Sequence, residues 1–96
     1  MAASFDSRFI NTTSQSHARN IMEDIMEEDR FENGHGYSGK IGDANGITFD
    51  NHKSFYDFES ADNYLQDITE KYGPAIGVRV ITDDEDGWLF GAVCPS

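Results

Sequence analysis

Carboxylates dominate the chemistry open to this sequence: 18 Asp plus Glu stand against 7 Lys plus Arg in 96 residues, a net charge of −11. Eighteen carboxylates always allow pairs, so paired acids suited to general acid–base work are a nonspecific signal. Asp43-Ala44-Asn45-Gly46 and the run Asp83, Asp84, Glu85, Asp86 each resemble a fragment of a calcium loop. Neither has the twelve-residue ligand pattern closed by Glu, so solvated turns are expected and no metal. His17, His35 and His52 pair with no other His, Cys or carboxylate at a metal-ligand spacing. His35, in Asn33-Gly34-His35-Gly36, is the one histidine worth testing. Cys94 has no His or cation beside it in sequence and is expected to be a packing residue. There is no Gly-x-Ser-x-Gly elbow. Gly34, Gly36, Gly39, Gly42 and Gly46 are not followed by Gly-Lys-Ser/Thr and do not form a phosphate loop. They serve turns and positive φ instead. Neither a catalytic residue nor a cofactor site is expected.

The informative carboxylates lie on a helix. Glu23 and Glu27 are four apart, as are Asp24 and Glu28, and Asp29 and Glu32 follow. Like charges at that spacing cost a few tenths of a kcal/mol per pair. Acids toward a helix C-terminus also oppose the macrodipole. Of the cations, only Arg30 offers relief close by. An ordinary solvated face in an acidic protein is the plain explanation. A cationic partner that neutralises the column is the functional one. Four residues rise about 6 Å along a helix, and DNA spaces its phosphates at about 3.4 Å of axis per strand. An acidic helix with an acidic hairpin turn could therefore fill a groove built for nucleic acid. Glu23, Asp24, Glu27, Glu28, Asp83, Asp84, Glu85 and Asp86 are the candidate partner-binding residues. Tyr37, Phe55, Tyr56 and Trp88 could supply apolar anchors, although Trp88 reads better as core.

The elements that must position these residues follow from periodicity. Residues 1–13 read as an N-terminal arm, loose or a short edge strand, with Phe5, Phe9 and Ile10 as anchors. Ala18, Ile21, Met22, Ile25 and Met26 form one apolar stripe of a helix over 15–31. Thr13, Ser14 and Ser16 are competent caps at its start, and Asn33-Gly34 closes it. Tyr37–Ile41 and Ile47–Phe49 flank Asn45-Gly46 and read as a β-hairpin. Residues 50–59 are a short strand or packed loop. Ser60 caps a second helix striped by Ala61, Tyr64, Leu65, Ile68 and Tyr72. Lys71 lies in its last turn, and Gly73-Pro74 stops it. Ala75–Thr82 is a strand with Ile76, Val78 and Val80 on one face. Asp83–Gly87 is a turn, and Trp88–Val93 returns. The expected fold is α+β in the order α-β-β-α-β-β: one antiparallel sheet with both helices on one face. Residues 14–96 form its single domain.

Composition sets the remaining bounds. Hydrophobic residues at 38% and aromatics at 12% support one modest core. No apolar run approaches a membrane span. The start, Met1-Ala2-Ala3-Ser4-Phe5-Asp6, lacks the basic and apolar regions of a signal peptide. With a single cysteine, a reducing, cytoplasmic setting is expected. The acidic balance argues against direct nucleic-acid or membrane binding and suits a basic partner.

Three blocks carry a resemblance: Gly36-Tyr37-Ser38-Gly39-Lys40-Ile41, Lys71-Tyr72-Gly73-Pro74-Ala75 and Gly87-Trp88-Leu89-Phe90-Gly91-Ala92. Together they resemble a widespread group of small phage-encoded proteins. In that group a Gly-Tyr-x-Gly-x-Ile strand precedes a helix, a Lys-Trp/Tyr-Gly-Pro-Ala turn and a closing strand with Phe-Gly. The match covers residues 34–93 in scattered blocks, with Tyr72 where tryptophan is common. These are turn glycines, a helix stop and core aromatics, so the resemblance implies fold and viral origin and carries over no catalytic residue. Small acidic phage proteins often act against host defence, and this association by type, which agrees with the charge reading, makes a non-catalytic anti-defence inhibitor, anti-CRISPR-like, in the host cytoplasm the expected function. Its partner would be a host defence or nucleic-acid-handling protein with a basic surface. A module sequestering a signalling nucleotide at an oligomer interface, around Arg79, Lys40 and Tyr37, is the alternative. A small metal-dependent hydrolase is the third. A homodimer through an edge strand fits any of the three.

Overall fold

A computed structural model describes residues 3–33, 44–70 and 73–95. In chain order these form β1 (Ala3–Ile10), α1 (Gln15–Asn33), β2 (Ile47–Phe55), α2 (Phe58–Ile68), β3 (Ala75–Ile81) and β4 (Asp86–Pro95). The four strands make one sheet in the order β1-β4-β3-β2. β4 runs antiparallel to both of its neighbours, whereas β2 and β3 run parallel. The result is a small α+β domain with a mixed sheet.

This corrects the expected architecture in three respects. The order begins with a strand, because Ala3–Ile10 pairs with β4 from Ala3↔Pro95 to Ile10↔Trp88. Residues 3–10 are therefore the edge strand of the two readings open for them. The sheet is mixed because α2 lies between β2 and β3 and returns the chain to the end where β2 began. A helical crossover yields parallel neighbours. The hairpin partner expected for β2 at residues 37–41 lies outside the described residues, as do Lys71 and Tyr72.

The helices, moreover, cover opposite faces. Ala18, Met22 and Met26 of α1 pack with Ile10, Ile47, Ala75, Trp88, Phe90, Ala92 and Cys94. Ala61 and Leu65 of α2 pack with Val78, Val80 and Leu89, joined by Phe5, Phe9, Phe55 and Ile76. Successive strand residues alternate between faces, and the two clusters divide along that alternation. β4 is buried on both sides, which accounts for its nearly unbroken apolar run. Phe90, Met22, Leu65, Val78, Val80 and Cys94 are wholly buried. Each large apolar side chain so placed contributes about 1.5–3 kcal/mol.

Local chemistry fixes the helix starts. Ser14 is the cap of α1: its Oγ accepts from the His17 N–H at 3.3 Å and its carbonyl from the Ala18 N–H at 2.9 Å. Asp57, rather than Ser60, caps α2, accepting from the Ser60 N–H at 2.7 Å. The helix ends at Ile68, before Gly73-Pro74. The Thr69 N–H and hydroxyl both donate to the Leu65 carbonyl there. Gly46 takes a φ of +93°, and its carbonyl accepts from the Ala75 N–H at 2.9 Å, which opens the parallel ladder. No helix among the described residues is long and apolar enough to cross a membrane.

Candidate functional site

The middle of α1 displays its acidic face. Glu23, Asp24, Glu27 and Glu28 are all exposed while Met22 and Met26 are buried, so the helix divides into a carboxylate column and a core stripe. Arg19 Nε reaches Glu23 Oε1 at 3.4 Å, one turn back. Among the described residues, no ion pair engages Asp24, Glu27 or Glu28. Asp29 is half-buried and lies 3.9 Å from Arg8, whose guanidinium also holds Asp6 at 2.8 Å. A depression of about 470 Å³ runs between this face and the start of β2, lined by Arg19, Glu23, Met26, Glu27, Gly46 and Ile47.

The second acidic group is the β3–β4 turn. Asp83 and Asp84 are exposed there. Glu85 is half-buried; its N–H donates to Thr82 Oγ1 at 3.0 Å and its carbonyl accepts from the Thr82 N–H at 2.7 Å. Asp86 is spent on an ion pair with the Arg79 guanidinium. Of these four expected contact residues, Asp86 thus has its carboxylate committed to its own chain, and Glu85 its backbone. The turn adjoins the beginning of α1, because Trp88 Nε1 donates to the Thr13 carbonyl at 3.3 Å. The helix carboxylates start at Glu23, about 12 Å further along the axis from Gln15. The two acidic groups are neighbours on the molecule and do not merge into one column.

The expected aromatic anchors divide. Trp88 is core, edge-on to Phe49 at 5.0 Å between ring centroids. Phe55 packs on the α2 side. Tyr56 is 73% exposed, but it leads into α2, the helix of the opposite face. Tyr37 lies outside the described residues. So do Lys40 and His35, which leaves the proposed nucleotide pocket represented by Arg79 alone, and that side chain is held by Asp86. Cys94 is buried, as expected of a packing residue. Among the described residues no group of three His, Cys, Asp or Glu side chains could hold a metal ion.

One constellation escaped the sequence reading. The β2–β3 ladder slips between Phe49 and Ser54, and the intervening bulge presents Asp50. Its carboxylate accepts from the Tyr64 hydroxyl of α2 and, at 2.9 Å, from the His52 N–H. The Tyr64 bond most of all, then the His52 N–H, hold the Asp50 carboxyl below its ordinary range; burial opposes this, and the His52 and Lys53 charges assist it. The same bond raises the Tyr64 phenol, with burial and the Asp50 charge adding to it. Lys53 Nζ lies 5.1 Å from the Tyr64 ring centroid. Beside it is an open depression of about 380 Å³ floored by Phe49, Ile68 and Ile76. The arrangement fastens the bulge to α2. No motif links residues fourteen positions apart on different elements, so spacing could not reveal it.

Comparison with protein-family models, with curated proteins and with solved structures finds no match.

Proposed function

We propose that this protein acts without catalysis, as a phage anti-defence inhibitor of anti-CRISPR-like type. It occupies a cationic, nucleic-acid-handling surface of a host defence protein through α1. The observation that carries this reading is the exposed column of Glu23, Asp24, Glu27 and Glu28, in which Glu23 alone has a cationic partner among the described residues. Of the described cations elsewhere, Arg8 is engaged by Asp6 and Asp29 and Arg79 by Asp86, while Lys53 lies over the Phe55 and Tyr64 rings. The field leaving the α1 face is therefore negative, which steers basic surfaces and repels nucleic acid itself. Asp83 and Asp84 extend the contact at the start of the helix. Phage origin draws on the resemblance of the turn and core motifs, and the anti-defence role on what small acidic phage proteins commonly do.

The test is affinity capture from an infected-host lysate by the parent chain and by a variant carrying Glu23→Lys, Asp24→Lys, Glu27→Lys and Glu28→Lys. The reading requires a specific partner for the parent and its loss in the variant, with unchanged circular dichroism. A variant that still captures and inhibits the same partner removes the charge mechanism.

A further inference from the structure

The outer edge of β1 has no strand partner among the described residues. Natural edge strands are blunted by shortness, proline or repeated lysine. β1 is neither short nor marked by proline or lysine: it is eight residues long and reads Ala-Ser-Phe-Asp-Ser-Arg-Phe-Ile, and the charges it carries, Asp6 and Arg8, pair with each other on the covered α1 face. It carries one charge of each sign, two residues apart.

That spacing is self-complementary. We propose that β1 pairs antiparallel with β1 of a second copy about a two-fold axis at Ser7, joining two sheets into one of eight strands. In this register Asp6 faces Arg8 of the partner subunit, and Phe5 faces Phe9 of the partner subunit. Both pairs occur twice by symmetry, as an isologous interface requires. Aromatic and opposite-charge cross-strand pairs are the favourable ones. The face pattern agrees. Phe5 and Phe9 lie on the α2 face, and Asp6 and Arg8, registered with Ala92 and Phe90, lie on the α1 face. An axis through a residue keeps like faces together, so aromatic meets aromatic on one side and acid meets base on the other.

Neighbouring registers fail. An axis at Asp6 sets that acid against its own copy, and an axis at Arg8 opposes two guanidiniums. An axis between Asp6 and Ser7 places Phe5 against Arg8 of the partner subunit and brings unlike faces together. Within one chain Arg8 already spans Asp6 and Asp29 and donates to the Ser7 carbonyl at 3.0 Å; in the dimer it keeps Asp29 and releases the Ser7 carbonyl, while Asp6 gains a second guanidinium across the axis. The dimer stands apart from the proposed function. If both hold, the two α1 helices share one side of the joined sheet and present a doubled acidic surface.

Ser7→Cys is the direct probe. Directly opposed residues of antiparallel strands sit about 4.5–5.5 Å apart at Cα, within the disulfide range of about 4.4–6.8 Å. Mild oxidation should convert Ser7→Cys to a covalent species of twice the chain's 10.8 kDa. Ser54→Cys, exposed on β2 at the opposite edge of the described sheet, should not cross-link. Cys94 is buried and stays silent. In sedimentation, Asp6→Arg and Arg8→Asp should each weaken the dimer at least tenfold, and the double exchange should restore it. A parent chain that sediments as a monomer at every concentration overturns the proposal. So does Ser7→Cys that cross-links no better than Ser54→Cys, or a dimer indifferent to both single reversals.

Discussion

Gly77→Ala tests the packing of the central strands most sharply. Gly77 faces Phe90 across the antiparallel β3–β4 ladder. A methyl at that position would sit 2.6 Å from Phe90 Cε1, 2.9 Å from Cδ1 and 3.1 Å from Cζ. The ring cannot swing clear: Phe90 is wholly buried and edge-on to Phe49 at 5.4 Å. Such overpacking costs about 1–3 kcal/mol. Removing a glycine returns about 0.4–1 kcal/mol through the unfolded chain. The net loss should be about 1–2 kcal/mol. For a domain of this size each kcal/mol lowers the melting temperature by about 4–8 °C. Urea unfolding should show a lower midpoint with an unchanged slope. Shrinking the opposing ring relieves the clash, so Gly77→Ala combined with Phe90→Leu should destabilise by at least about 0.5 kcal/mol less than the two singles added. A neutral Gly77→Ala, or strict additivity in the double variant, would refute the register that sets Gly77 under Phe90.

Asp57→Ala should cost about 1 kcal/mol of unfolding free energy, the loss of a capping carboxylate, whereas Ser60→Ala should be nearly silent because Ser60 contributes its backbone N–H. Tyr64→Phe removes the main cause of the lowered Asp50 pKa. A depressed carboxyl contributes stability above its unfolded pKa of about 3.9 and loses it as pH falls through the lower folded value. The variant should therefore unfold more easily than the parent at about pH 7, and the gap should close toward about pH 3. Glu27→Lys with Glu28→Lys turns two repulsive i, i+4 contacts, with Glu23 and Asp24, into attractive ones. The isolated protein should gain about 1 kcal/mol in thermal or urea unfolding.

The local pattern carried the fold far. The stripe from Ala18 to Met26 fixed α1 and its buried side, and the exposed complement was the carboxylate column. Ile76, Val78 and Val80 lie on one face as their spacing requires. Strand direction was not legible, because alternation with period two is the same in parallel and antiparallel strands. The two-sided sheet is legible in one strand: Trp88-Leu89-Phe90-Gly91-Ala92-Val93-Cys94 is nearly continuous in apolar character, the mark of a strand covered on both faces, against the expectation of both helices on one face. Ser60 has the side chain of a cap, but α2 starts at Phe58, which puts Asp57 at that place. Asp86 and Arg79 are seven residues apart, and only the hairpin register brings them together. The Asp50–Tyr64 link depends on a bulge that no sequence period announces.

The salt dependence of the complex with the captured host protein bears most directly on the central claim. If the α1 carboxylates neutralise a cationic surface, the dissociation constant measured for the parent chain should rise steeply between low and high ionic strength. An affinity that stays level across that range would contradict electrostatic recognition by α1.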